Sequence, residues 1–264
     1  MKNILVPIGS NKNAINTLQY AIDFAEGTGT KIYVVKVYGV SKVASSMKNI
    51  DTILEEDSNK ELKEIIAEVD AKDVEIKSKS IKGDIVGSLE RVAKQLQIDL
   101  VVSSARSCST DEKIYLGRTA GGLIKSTNIP ILIIPKVYKF KAVSKVFMAI
   151  KSKKISASEV LAPLKNILNR FTSKLDLIQV ITPKFKDEDA ELNVELDSLT
   201  TSFKTTDNAT VFQGVLEHLH ESNPDMLCVI RRKRGFFKRL WEKERVYKKD
   251  FESRIPLLVL KGAF

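Results

Sequence analysis

The chain carries its closing unit twice, and this duplication limits what it can fold into more than any other feature. Asp99 opens the apolar run Leu100, Val101, Val102, and 31 residues on Pro130 starts Ile131 to Ile134. Asp225 opens Met226 to Val229, and again 31 residues on Pro256 precedes Leu257 to Leu260. The halves also begin alike, Asn3 to Ser10 reading Asn-Ile-Leu-Val-Pro-Ile-Gly-Ser and Lys145 to Ser152 reading Lys-Val-Phe-Met-Ala-Ile-Lys-Ser. A tandem repeat of one α/β domain accounts for both similarities. One copy can keep an ancestral site while the other drifts, so equivalent positions of the two copies are compared directly.

Periodicity fills in each copy. Ile4 to Ile8 reads as a buried strand, and Asn11 to Ala25 as a helix through Ala14, Leu18, Ala21, Ile22 and Ala25, ended by Gly27 and Gly29. Lys31 to Val37 is strand-like, Asp51 to Val69 helical, and Val74 to Ser80 alternates as a third strand. Asp84 is placed to cap a helix through Ile85, Leu89, Val92 and Leu96, ahead of the Asp99 strand. The second copy repeats the plan in strands at Val146 to Ile150, Leu175 to Ile181, Phe203 to Thr206, Met226 to Ile230 and Leu257 to Leu260, with helices at Val160 to Phe171, Asp187 to Leu199 and Val211 to His220. Pro163 disturbs the first of those helices, while Ser156 and Glu159 fit a capping box. Strands alternating with helices predict right-handed crossovers and two open, mostly parallel, Rossmann-like sheets with helices on both faces, over residues 1–137 and 143–264. The link Lys136 to Ser144 is short and not Gly- or Ser-rich, so the two domains are expected to pack against each other.

The 264 residues, 43% apolar, suffice for two ordinary cores without staples. Cys108 and Cys228 occupy non-equivalent places, and no disulfide is expected between them. The N-terminus is too short in apolar residues for a signal-peptide core, and no run approaches about 18 apolar residues, so a soluble, cytoplasmic protein is expected. The formal charge of +10 is concentrated. Between Arg231 and Lys249 ten basic residues face only Glu242 and Glu244, which places +8 in one stretch.

Ligands of parallel sheets bind beyond the carboxyl ends of strands, where strand order reverses. The loop after the fourth strand runs from Ser103 to Gly117, and Gly117 precedes a helix through Ala120, Leu123 and Ile124, so its free backbone N–H groups can hold an anion. The opening strand Ile4 to Ile8, Gly83-Asp84, Asp99 to Val102, Gly117 and Ile129 to Ile134 together resemble the universal stress protein family in its tandem form, over nearly the whole chain. The resemblance implies an adenine nucleotide alpha hydrolase-like fold. Its ATP-binding members carry an Asp after the first strand and a loop spelled glycine, two residues, glycine, nine residues, glycine, then Ser or Thr. Here the Asp position falls on Gly9, the first two glycines fall on Ser103 and Arg106, ten residues separate Arg106 from Gly117, and Arg118 replaces the hydroxyl residue. Only Gly117 matches. Glycines in such loops permit positive φ and close approach to phosphate; Arg106 and Arg118 are bulky but can reach a phosphate or carboxylate through charge-assisted hydrogen bonds. The candidate anion site is therefore Ser103, Ser104, Arg106, Gly117, Arg118 and Thr119.

The second copy has no such loop. Arg231, Arg232, Lys233, Arg234, Lys238 and Arg239, interleaved with Phe236, Phe237, Trp241 and Tyr247, have the composition of a surface for single-stranded nucleic acid or an anionic membrane, or of a solvated helix anchored by its aromatics. The last reading is preferred. His218 and His220 lack the spacing that pairs ligands on a metal, and Asp187 to Glu191 is a helix start favoured by the macrodipole. Ser103 and Ser104 have no nucleophile elbow. No catalytic residue, metal site or cofactor is expected.

The resemblance implies a non-enzymatic, cytoplasmic binding or regulatory module of stress physiology. The alternatives are an ATP-binding or slow ATP-hydrolysing switch in the first domain and a polyanion binder working through the basic stretch. In the family the fifth strands commonly pair at a dimer interface, so Ile131, Ile133, Leu258 and Leu260 are expected to form an internal pseudo-dimer, which would also cover an apolar sheet edge. A homodimer of whole chains stays open, and the sequence names no protein partner.

Overall fold

Asn3–Ile8 (β1) is a strand because the apolar run Ile4 to Ile8 has a neighbouring strand on either side, and Ile4, Leu5 and Val6 are fully buried. In the computed structural model, which describes residues 1–9, 13–39, 50–105, 113–152, 155, 158–183, 193–231, 246–248 and 251–262, β1 is followed by Asn13–Ala25 (α1), Lys31–Tyr38 (β2), Ile50–Ala67 (α2), Ile76–Lys82 (β3), Ile85–Gln95 (α3), Leu100–Ser104 (β4), Ile114–Leu116 (β5), Arg118–Ser126 (α4) and Ile131–Ile134 (β6). The strand order is β3-β2-β1-β4-β6, every pair parallel. The chain divides into two units, and this first one comprises Met1–Phe140 and Glu244–Lys248.

α1 buries the face its spacing predicts, Ala14, Leu18, Ala21, Ile22 and Ala25, and the chain turns away at Gly27, whose φ of 72° suits a residue without Cβ. Lys36 of β2 is buried and pairs with Glu61 of α2, while its neighbour Val35 faces the side on which α3 lies. Thus α2 and α3 cover opposite faces of the sheet. Asp84 caps α3 as expected, its Oδ1 accepting from the Gly87 N–H at 2.8 Å. α4 lies close to α3 because it offers Gly122 at the contact; a Cβ there would come within 2.6 Å of Val86 Cγ2. The link out of the unit is fastened to α1, with Phe140 edge-on to Tyr20 at 5.3 Å and Asn16 Nδ2 donating to the Tyr138 carbonyl at 3.1 Å.

The second unit, Lys141–Lys243 with Lys249–Phe264, runs Lys145–Ile150 (β7), a 3-10 turn at Ser158–Leu161, Ala162–Phe171 (α5), Lys174–Ile181 (β8), Val194–Leu199 (α6), Ser202–Asp207 (β9), Val211–Ser222 (α7), Met226–Arg231 (β10) and, after Val246–Tyr247 (β11), Leu257–Lys261 (β12). Its order β9-β8-β7-β10-β12 repeats that of the first unit. Pro163 sits in the first turn of α5, where a missing N–H costs nothing, so the disturbance expected there is confined to the 3-10 lead-in. Ser156 of the expected capping box lies outside the described residues, as do Cys108 and the start of the helix expected from Asp187; Glu159 is exposed in the 3-10 turn. Cys228 is a free, buried thiol whose pKa burial pushes up.

The paired aspartates that open the closing units do the same work in both copies. Asp99 Oδ2 accepts from the N–H groups of Lys2 at 2.5 Å and Asn3 at 2.9 Å. Asp225 Oδ2 accepts from those of Ser144 at 2.8 Å and Lys145 at 3.0 Å, and from Ser144 Oγ at 2.6 Å. Each aspartate also returns its own N–H to the first strand, to the Asn3 carbonyl at 3.0 Å and the Lys145 carbonyl at 2.9 Å. Both copies therefore pin the start of the central strand to the strand beside it. Lys141 Nζ adds an ion pair to Asp225 Oδ1 at 2.6 Å.

Candidate functional site

Strand order in the first unit reverses between β1 and β4, which leaves the crevice for a ligand beyond the carboxyl ends of these two strands. Gly9 follows β1 at that end. Ser103 and Ser104 finish β4, paired with Ile133 and Ile134, and Ser103 is buried with its Oγ donating to the Ser104 carbonyl at 3.3 Å. The Ala105 N–H goes to the Ile134 carbonyl at 3.0 Å, and the Gly117 N–H to the Ala105 carbonyl at 2.9 Å. This last bond carries Gly117, and with it Arg118 and Thr119, back to the end of β4. Five of the six expected residues are thus brought together; Arg106 lies outside the described residues.

Backbone N–H groups ahead of α4 were expected to be available to an anion. The Gly117 N–H itself goes to the Ala105 carbonyl, and the residue's φ of −74° and ψ of 177° are extended backbone that any residue adopts. It is the N-cap of α4 without a side-chain cap. Arg118 is exposed at the first position of the helix, and Thr119 is half-buried behind it. A helix N-terminus with an exposed arginine at its first position thus stands at the end of β4, and the sequence from Ser103 to Leu116 holds no glycine that would let backbone approach a phosphate closely.

The stretch just before Gly117 is also occupied. β5 forms a two-stranded antiparallel ladder with β11, Leu116 opposite Val246 and Ile114 opposite Tyr247, and the Lys248 N–H donates to the Lys113 carbonyl at 2.8 Å. Ile114, Tyr115 and Leu116 are all buried. Tyr247, counted from the sequence among aromatics for a polyanion surface, is half-buried in this ladder. Sequence periodicity has no signal for strands of three and two residues, and this ladder was missed. Of the basic stretch, Arg231 ends β10, where burial lowers its pKa, and its carbonyl accepts from Gly262 at 3.0 Å. Arg232, Lys233, Arg234, Lys238 and Arg239 lie outside the described residues. Ile131 and Ile133 lie in β6, and Leu258 and Leu260 in β12, all buried in the last strand of their own unit's order.

In the second unit His218 is half-buried and lines a hollow of about 210 Å³, with Nδ1 3.3 Å from Glu221 Oε2. There Asp176 accepts from Ser202 Oγ at 2.6 Å and Ser222 Oγ at 2.7 Å. Burial alone would push the Asp176 carboxyl up, but the two hydroxyls, with Lys145 and Lys204, hold it below the ordinary value. Among the described residues no group of three or more His, Cys, Asp or Glu side chains is arranged to hold a metal, and no helix is long and apolar enough to cross a membrane.

The profile of the universal stress protein family matches residues 1–135. A universal stress protein of Methanocaldococcus jannaschii is 24% identical over 143 residues, which cover 52% of this chain and 84% of that protein. Among solved structures, a universal stress protein from Archaeoglobus fulgidus superposes with a TM-score of 0.72 at 18% identity, covering 99% of this chain and 96% of that one. A functionally unknown protein from Pseudomonas aeruginosa PAO1 does so with a TM-score of 0.60 at 12% identity, covering 99% and 93%. The fold of these structures therefore spans both units of the chain.

Proposed function

As the chain belongs to the universal stress protein family, we propose that it is a non-catalytic, cytoplasmic binding or regulatory module of the stress response whose first-unit anion loop has become structural. The observation that carries this reading is the commitment of the loop's backbone. Gly117 donates its N–H to Ala105, the Lys113 carbonyl accepts from Lys248, and Ile114 and Leu116 pair with β11, so the described backbone on this side of the loop serves the protein's own chain. Gly9 in place of a carboxylate after β1 removes the acceptor that would meet a ribose or base. The alternative that keeps ATP rests on Arg118 and the N-terminus of α4, which supply charge without a cradle.

Native mass spectrometry of freshly purified full-length protein, followed by calorimetric titration with Mg-ATP, tests the reading. The expected result is an apo mass and no binding heat up to millimolar nucleotide. A nucleotide-sized adduct with saturable heat, lost in Arg118→Ala, would overturn it and make the first unit a nucleotide switch.

A further inference from the structure

The two units are hollow at the same place, and the hollows differ in size and charge. β1 pairs with β2 from Asn3 and Lys31, and β7 with β8 from Lys145 and Lys174, so Tyr33 corresponds to Asp176 and Val35 to Ile178. On the next strands Lys77 corresponds to Ser202 and Lys79 to Lys204. The N-caps Asp84 and Thr210 align α3 with α7, matching Arg91 with Glu217, Val92 with His218 and Gln95 with Glu221. Each hollow lies where this third long helix leaves the sheet face over the two outer strands partly uncovered.

In the second unit the hollow is about 210 Å³ and holds two acidic side chains, Asp176, which accepts from two hydroxyls, and Glu221, which faces His218. In the first unit it is about 500 Å³ and holds no acidic side chain. That volume is in the range of sites for small organic ligands. The floor is apolar, with Val35, Ile81 and Val92 and the ring of Tyr33. Four cations line it. Lys77 is paired with Glu75 and Lys82 with Asp51, while Lys79 and Arg91 have no acidic partner among the described residues. Ser88 also lines the hollow and is 1% exposed.

We propose that this groove of the first unit is a binding site for a small amphiphilic anion, a carboxylate or sulfonate on an aromatic or aliphatic body. The body lies on Val35, Ile81 and Val92, and the anionic group meets Lys79 and Arg91. The positions that make the site differ in the second unit, where Glu217 and Glu221 replace Arg91 and Gln95 and Asp176 replaces Tyr33. That unit is an internal control. The site lies on a sheet face, apart from the switch-point loop, and does not depend on whether that loop binds nucleotide.

The test is fluorescence titration of the full chain with 8-anilinonaphthalene-1-sulfonate, with decanoate as competitor. The expected result is saturable one-to-one binding displaced by decanoate, weakened at least tenfold by Lys79→Glu with Arg91→Glu, and unchanged by Lys204→Glu at the corresponding place in the second unit. All three side chains lie at strand or helix surfaces, so circular dichroism should be unaltered. Val92→Trp, which fills the groove and leaves its charges intact, should also abolish binding. Absence of saturable binding, insensitivity to the paired charge reversal, or equal weakening by Lys204→Glu would overturn the proposal.

Discussion

Asp225→Asn isolates the electrostatic part of the pin in the second unit, because it keeps the shape of the side chain and removes its charge. The side chain is 12% exposed and takes hydrogen bonds from the N–H groups of Ser144 and Lys145, the Ser144 hydroxyl and Lys141 Nζ. Burial by itself raises the carboxyl's pKa; the Lys141 and Ser144 side chains and the two backbone donors outweigh it and bring the pKa from 3.8 down to about 2. Since the folded value is the depressed one, the stabilisation is fully present above the unfolded value near 4 and is lost as pH falls through about 2. Its size is about 2 kcal/mol, at about 1.4 kcal/mol for each tenfold change in proton affinity. Hydrogen exchange of β7 and β10 amides reads the second unit directly. At pH 6 the variant should lose about 30-fold in protection relative to the parent protein, and near pH 2.5 the two should differ by only a few fold. An equal loss at both pH values would mean that the substitution acts through packing and not through charge. No loss at pH 6 would refute the pin itself.

Two further pairs of substitutions test packing and a buried ion pair. Gly122→Ala should lower stability by about 1–3 kcal/mol because its Cβ meets Val86 Cγ2; in a Val86→Ala background the same change should become neutral or favourable by up to about 1 kcal/mol, since Ala is the better helix former, and a double-mutant cycle in urea reads the reversal. Glu61→Gln should destabilise by about 1–2 kcal/mol, because it leaves the buried Lys36 ammonium without its countercharge, while Lys36→Met should cost less than Glu61→Gln when both are compared by thermal unfolding.

Much of the architecture is written in local pattern. The α1 face, the capping Asp84 and the all-apolar β4 and β6 follow from spacing alone, and the doubled closing unit is a doubled strand order. β3 begins two residues later than its alternation suggests, because Val74 donates its N–H to Ala71 in a turn and is used up before the strand starts. β5 and β11 exist only through each other, and a strand of two or three residues has no period to read. Of the site, Ser103, Ser104 and Gly117 could be placed at the end of β4 from the order of elements, but the hydrogen bond that removes the Gly117 donor could not. The role of the two aspartates was present in the repeat as a matched position without a stated use. The hollow under α3 draws on two strands and a helix far apart in sequence, and only the comparison of the copies through their registers brings out its charge.

The β5–β11 ladder also sets the order in which the protein can be completed on the ribosome. β5 is synthesised at residues 114–116, but the strand that covers it arrives at residues 246–247, after nearly all of the second repeat has been made. The first repeat therefore emerges with all five strands of its parallel sheet and still lacks one piece of its own fold. A chain cut after the link at Phe140 would leave the edge of β5 open, so the gene's two halves, alike as they are, are not interchangeable parts. The second half carries the piece that finishes the first.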